Sequence, residues 1–185
     1  LEDVSRGIAI MSALRAMIFA GMTCFATPAF AQSTGNSPPP PCTDEAYHQF
    51  DFWLGEWEVS GPNGNLAGHN TIERAENGCL ITESWVNTAG GTGQSLNFYN
   101  PNTGLWRQVW VSAGSIIDYT GGLTETGSMK LEGTITYHGN GTSFPFTGEW
   151  TPNEDGSVTQ HFEQYNPETE DWAVWFTGRY VRAEN

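Results

Sequence analysis

Basic side chains are scarce. The chain carries 7 lysines and arginines against 21 aspartates and glutamates, for a formal net charge of −14. Past Ala31 the basic residues are Arg74, Arg107, Lys130, Arg179 and Arg182 alone. A surface of that sign repels phosphate backbones and anionic membranes, which argues against a nucleic-acid partner. Helical patterning is also missing: past residue 50 no stretch repeats apolar positions about every 3.6 residues. The histidines His48, His69, His138 and His161 are scattered, without the i, i+2 or i, i+4 spacing of a metal site, so no metal centre is expected. There is no nucleophile elbow, phosphate loop, dinucleotide fingerprint or EF-hand loop. Apolar runs fall short of the roughly 20 residues that a membrane-spanning helix takes.

What is present divides the chain. Residues 11–31 combine Arg15, an apolar run and the small-residue ending Ala29-Phe30-Ala31. That pattern predicts a secretory signal peptide cleaved after Ala31, with residues 1–10 upstream of it and a periplasmic or secreted product. Residues 32–43 are polar and Pro-rich, a flexible leader. One folded domain, residues 44–185, is expected to follow. Two cysteines then remain, Cys42 and Cys79. An even pair in an oxidising compartment favours a disulfide over two free thiols, and the separation of their Cα atoms decides between them.

The domain is organised around Phe50-Asp51-Phe52-Trp53-Leu54-Gly55-Glu56-Trp57-Glu58-Val59. From Leu54 a period of two puts Trp57 and Val59 on one face and Glu56 and Glu58 on the other. This reads as a first strand with one dry face, entered from an aromatic turn. Before it, Thr43-Asp44-Glu45 caps a short N-terminal helix reaching about Gln49. Ten strands are expected at about 54–60, 66–76, 79–87, 92–99, 104–112, 115–120, 127–138, 143–150, 157–165 and 172–183. Turns such as Asn77-Gly78 and Asp155-Gly156 separate them. Connections this short dictate an antiparallel up-and-down meander. So many twisted strands close into a barrel, which removes exposed edges, or split into a sandwich. Tyr99-Asn100-Pro101 before Trp106 is echoed by Tyr165-Asn166-Pro167 before Trp172, two similar hairpins.

Several segments, taken in order, resemble a known family. They are the run Phe50–Val59, Gly78-Cys79, Ser95-Leu96-Asn97-Phe98-Tyr99, Trp106-Arg107-Gln108-Val109-Trp110, Met129 with Leu131, and the closing Tyr180-Val181-Arg182. Together they are similar to a family of bacterial secreted calycin-like proteins, related in architecture to lipocalins, fatty-acid-binding proteins and nitrobindins. The likeness extends over about residues 42–183. It implies a calycin-like barrel with an internal cavity and names no reaction. Gly55-Glu56-Trp57 further resembles the Gly-x-Trp of the first lipocalin strand, where a late arginine covers the Trp. Here that arginine is Arg179 or Arg182.

Strand parity nominates a site. Glu83 and Trp85 share one face, as do Asn97 and Tyr99, and Trp106, Gln108 and Trp110. If these faces look inward, they line a lumen with indole rings and a few fixed polar groups, the usual build of a small-molecule site. A filled core is the alternative. The opposite parity turns Leu96, Phe98, Val109 and Val111 inward, for a fatty ligand. Glu83, desolvated, would have a raised pKa and serve as a general acid or base, or it forms an ion pair with Arg74 or Arg107. His161 sits mid-strand within reach of the lumen. By likeness to nitrobindins, His161 or His138 is the candidate for a haem ligand; otherwise no cofactor is expected. The expected function is binding of a small, partly apolar molecule. The alternatives are a cavity enzyme (isomerase, cyclase or lyase), a haem barrel, and a filled barrel acting through its outer surface.

Overall fold

The computed structural model describes residues 41–184. The expected signal peptide and most of the leader lie outside them. Ten strands follow in order: β1 (Gly55–Ser60), β2 (Leu66–Ala75), β3 (Leu80–Asn87), β4 (Thr92–Asn100) and β5 (Leu105–Ser112). Then come β6 (Ser115–Leu123), β7 (Met129–Tyr137), β8 (Ser143–Pro152), β9 (Val158–Asn166) and β10 (Asp171–Arg182). Each strand pairs antiparallel with its sequence neighbours, and β1 pairs with β10, so the sheet is a closed barrel. The expected and observed strands agree to within three residues at every end. Hairpin connections leave no room for crossovers, and closure leaves no unpaired edge.

The seam is built on β1. Trp57 and Val59 are buried while Glu56 and Glu58 are exposed, as the alternation requires. Trp57 stands opposite Arg182 across the seam. The Arg182 guanidinium lies 3.9 Å from the centroid of the Trp57 ring. It also donates to the Leu54 carbonyl. Gly55 has φ of 131°, and a Cβ there would run into the same guanidinium. Glycine therefore serves twice here, for its backbone conformation and for its missing side chain. Arg179, the other candidate for covering Trp57, pairs with Asp155 instead.

The expected short N-terminal helix is present, in 3-10 form, as two stretches, Glu45–His48 and Asp51–Trp53. Asp44 makes no side-chain cap bond, so little holds a longer α-helix at this point. What places this segment is burial: Phe50 and Trp53 are fully buried, their rings stacked at 4.9 Å. Both also pack on Trp150. The segment plugs one end of the barrel. Arg74 fastens it by pairing with Asp51 and donating to the Gly78 carbonyl at 2.9 Å. Cys42 and Cys79 form a disulfide with a Cα separation of 5.1 Å, tying the end of the leader to the turn before β3.

The two echoed hairpins share one design. Tyr99 pairs with Trp106, and Tyr165 with Trp172. In each turn the Asn side chain accepts a backbone N–H two residues on, at 3.0 Å for Asn100 and 2.9 Å for Asn166.

Candidate functional site

The wall faces inward with the parity that buries the amides and indoles. Ile81, Glu83, Ser95, Asn97, Trp106 and Gln108 are buried, whereas Leu96 and Val111 are exposed. The alternative apolar lumen is thereby excluded. One reason is local: Arg107 shares the face of Val109 and Val111, and pairs outside the barrel with Asp118 through two hydrogen bonds of 2.9 and 2.6 Å.

A cavity of about 280 Å³ occupies the part of the lumen away from the aromatic plug. Its apolar wall is Trp85, Trp110, Ile117, Phe162, Trp175 and Phe176. Its polar side is Glu83, Gln108, Tyr119, Gln160 and Tyr180, with Asn87 also at its border. The volume lies near the small end of ligand pockets, about 300–1,000 Å³, and is nearly twice that of a cavity that holds one benzene. Room for one or two rings is the consequence.

The polar side is a continuous hydrogen-bonded layer centred on Glu83. Asn70 Nδ2 donates to Glu83 Oε1 at 2.7 Å and Ser95 Oγ donates to Oε2 at 2.6 Å. Asn97 Nδ2 in turn donates to Ser95 Oγ at 2.8 Å, and Gln108 Nε2 to Asn97 Oδ1. Tyr119 donates its hydroxyl to Gln108 Oε1 at 2.5 Å. On the other flank Tyr180 donates to Gln160 Oε1 at 2.9 Å and accepts a 3.3 Å bond from Asn70. Asn70 Oδ1 is buried and has no protein donor.

Glu83 is 5% exposed, and among the described residues no cation pairs with it. The expected ion pair does not form, because Arg74 is drawn to Asp51 at the plug and Arg107 to Asp118 outside. Burial pushes the Glu83 carboxyl up to about 7, opposed by the hydrogen bonds from Ser95 and Asn70. Burial first, and the Glu83 charge second, hold the Tyr119 and Tyr180 hydroxyls well above their ordinary range. Both tyrosines are therefore neutral donors at physiological pH.

Of the nominated residues, Glu83, Trp85, Gln108 and Trp110 border the cavity. Asn97 lies one bond behind it, in the polar layer. Tyr99 and Trp106 face inward but belong to the plugged end. Trp106 Nε1 donates to the Ala46 carbonyl at 3.1 Å, and the Tyr99 ring meets Tyr47 at 5.1 Å. His161 takes the other side of β9 from Gln160 and Phe162. Its Nδ1 is 2.9 Å from Thr177 Oγ1, and its Nε2 is 3.7 Å from Glu163. It does not reach the lumen, since Gln160 and Phe162 take the inward positions on either side of it. His138 is exposed in the turn after β7. No histidine borders the cavity.

Sequence reasoning missed Tyr119, Gln160, Phe162 and Tyr180, although the same alternation extended to β6, β9 and β10 would have found them. It had no means of finding Trp175 together with Phe176. These are consecutive, yet both border the cavity. The register of β10 against β9 shifts between Val174 and Phe176, and this bulge turns both rings to one side. Trp175 is the lip: 47% exposed, it packs on Phe146 and Phe162 and donates to the Tyr137 hydroxyl at 3.1 Å.

No protein-family model and no curated protein matches the chain. The functional reading therefore rests on the chemistry of this site.

Proposed function

We propose that the protein is a calycin-like carrier or receptor barrel that binds a small, partly apolar molecule in its lumen. The observation that carries this reading is the half-hydrogen-bonded, half-aromatic cavity bordered by Glu83, Gln108, Tyr119, Trp85, Trp110 and Trp175. A closed core would have filled this space, because voids in well-packed interiors are few and small. The aromatic rings supply most of the affinity and the fixed polar groups orient the ligand. The disulfide fits an oxidising, periplasmic or extracellular setting. Among the described residues no helix is long and apolar enough to cross a membrane.

The test is titration with a neutral two-ring compound, 2-naphthol, followed by quenching of tryptophan emission. Ala67, on β2, also borders the cavity, and saturable one-to-one quenching that is lost in Ala67→Phe, which narrows the space, is expected. Absence of saturable binding, together with no small molecule in native mass spectra of protein from its source, overturns the reading.

Glu83 favours a second reading, a cavity enzyme of the isomerase, cyclase or lyase kind. A buried carboxyl titrating near neutrality is suited to carry a proton to or from a bound substrate. Glu83→Gln that abolishes turnover while ligand affinity persists would support the enzyme over the carrier.

A further inference from the structure

The polar side of the cavity is one-sided in charge. Among the described residues its single carboxylic acid is Glu83, and no lysine, arginine or histidine borders the space. The neutral groups around it do not correct this. Tyr119 and Tyr180 direct their hydroxyl protons away, to Gln108 and Gln160. Asn70 and Ser95 give Glu83 two hydrogen bonds but no positive charge. Directly behind, Asn70 Oδ1 is a further buried acceptor without a donor. Elsewhere on the chain, carboxylates do find cations: Asp51 has Arg74, Asp118 has Arg107, and Asp155 has Arg179. A buried carboxylate lacking a counter-charge is costly and is ordinarily paired.

The tryptophans around Glu83 complete the chemistry: Trp85 stands two positions further along β3, and Trp110 pairs with Ser95, itself the register partner of Glu83. Trp85, Trp110 and Trp175 present indole rings to the same space. The face of an indole attracts a cation more strongly than any other side-chain ring. The chain's net charge of −14 also draws cations toward it and repels anions.

We propose that the cavity takes a small organic amine in its ammonium form, its charged nitrogen against Glu83 and its one- or two-ring apolar body among the tryptophans. This deepens the small-molecule reading above and rests on it. The ligand supplies the counter-charge that the fold leaves out. Ammonium N–H groups then meet the carboxylate oxygens, which retain lone pairs beyond those used by Asn70 and Ser95.

A matched set of probes tests the proposal: 2-phenylethylamine, its neutral analogue 2-phenylethanol and the anion 3-phenylpropanoate, each competed against 2-naphthol. An aliphatic ammonium, like that of lysine, stays charged between about pH 5 and 8. Any pH dependence of its binding then reports the protein. The titratable groups facing Glu83 are Tyr119 and Tyr180, both neutral throughout that interval. Deprotonation of Glu83 is what the pH change reads.

At pH 8 the amine should bind at least tenfold more tightly than the alcohol, and the carboxylate more weakly than either. The advantage of the amine should shrink toward pH 5 as Glu83 takes up a proton. Glu83→Gln should bring the amine-to-alcohol affinity ratio down to about one. An alcohol that binds as well as the amine overturns the proposal while leaving the pocket standing, since 2-naphthol is still displaced. An amine preference that survives in Glu83→Gln, or that does not change with pH, overturns it too. If none of the probes displaces 2-naphthol, the ammonium proposal fails alone; if 2-naphthol itself does not bind, both readings fail.

Discussion

Asn70 and Glu83 are joined across the inner face of the barrel by a 2.7 Å hydrogen bond, although they are not register partners. Glu83 stands opposite Ile72 on β2, and Asn70 opposite Trp85. The bond therefore runs diagonally along the wall, and it leaves the carboxyl solvated by an amide and a hydroxyl where an arginine would ordinarily pair. That arrangement sets the first prediction.

The folded chain holds the Glu83 proton to about pH 7, against an ordinary value of 4.5 for the unfolded chain. Because the folded-state value is raised, the contribution of this group to stability is greatest below pH 4.5. It declines as pH rises from there to about 7, and is flat above. At about 1.36 kcal/mol per pH unit the full swing is roughly 3 kcal/mol. Glu83→Gln removes the charge, and the free Asn70 Oδ1 allows the amide to reorient toward the new NH2 group. Urea unfolding at several pH values should show the variant gaining on the wild type across that window and holding its lead above it. A difference that stays constant with pH would contradict the assignment.

Trp175 is the part of the cavity wall that stability should miss least. Half-exposed at the lip, it gives up little core when removed. Trp175→Ala is expected to weaken 2-naphthol binding roughly tenfold, the loss of about 1.4 kcal/mol of ring contact. The unfolding midpoint should move little. Equal affinity in the variant would place the ligand elsewhere.

At the seam, Arg182 and Gly55 are coupled. Arg182→Ala removes the cation over Trp57 and should cost about 1–2 kcal/mol by denaturant titration. Gly55→Ala should cost more in the wild type than in the Arg182→Ala background. In the latter the new Cβ no longer meets a guanidinium, and only the backbone strain at φ 131° persists. Additive losses would show that the close approach is not what demands glycine there.

The disulfide joins residues separated by 37 positions. Closing a loop of that length should contribute up to about 4 kcal/mol in the chain-entropy account. The Cys42→Ala, Cys79→Ala double variant should unfold at markedly lower denaturant while still binding 2-naphthol at low temperature, since neither cysteine borders the cavity. Loss of binding in a variant that remains folded would tie the plug to the site.

Much of this molecule is written locally. The exposed Glu56 and Glu58, alternating with the buried Trp57 and Val59, fix the inward face of β1, and the same rule places Glu83, Gln108 and Trp110. A period of two needs nothing beyond the pleat of a strand. Gly, Asn and Pro at the hairpins ended most strands close to where the sequence placed the ends; β6 is the exception, running on through Gly121 and Gly122 to Leu123. What alternation does not tell is how far along the lumen a residue stands. That is why Tyr99 and Trp106, correct in direction, belong to the plug rather than the cavity.

The sequence by itself thus determined the strand count, the meander and which face of most strands is dry, because each depends on residues a few positions apart. Tertiary structure decided the rest. Closure carried Arg182 to Trp57, and the plug drew Arg74 away from Glu83 toward Asp51. A bulge in β10 brought Trp175 beside Phe176 at the cavity. Those outcomes depend on pairings between distant segments, where the energy of burial selects one arrangement among many that the local pattern permits.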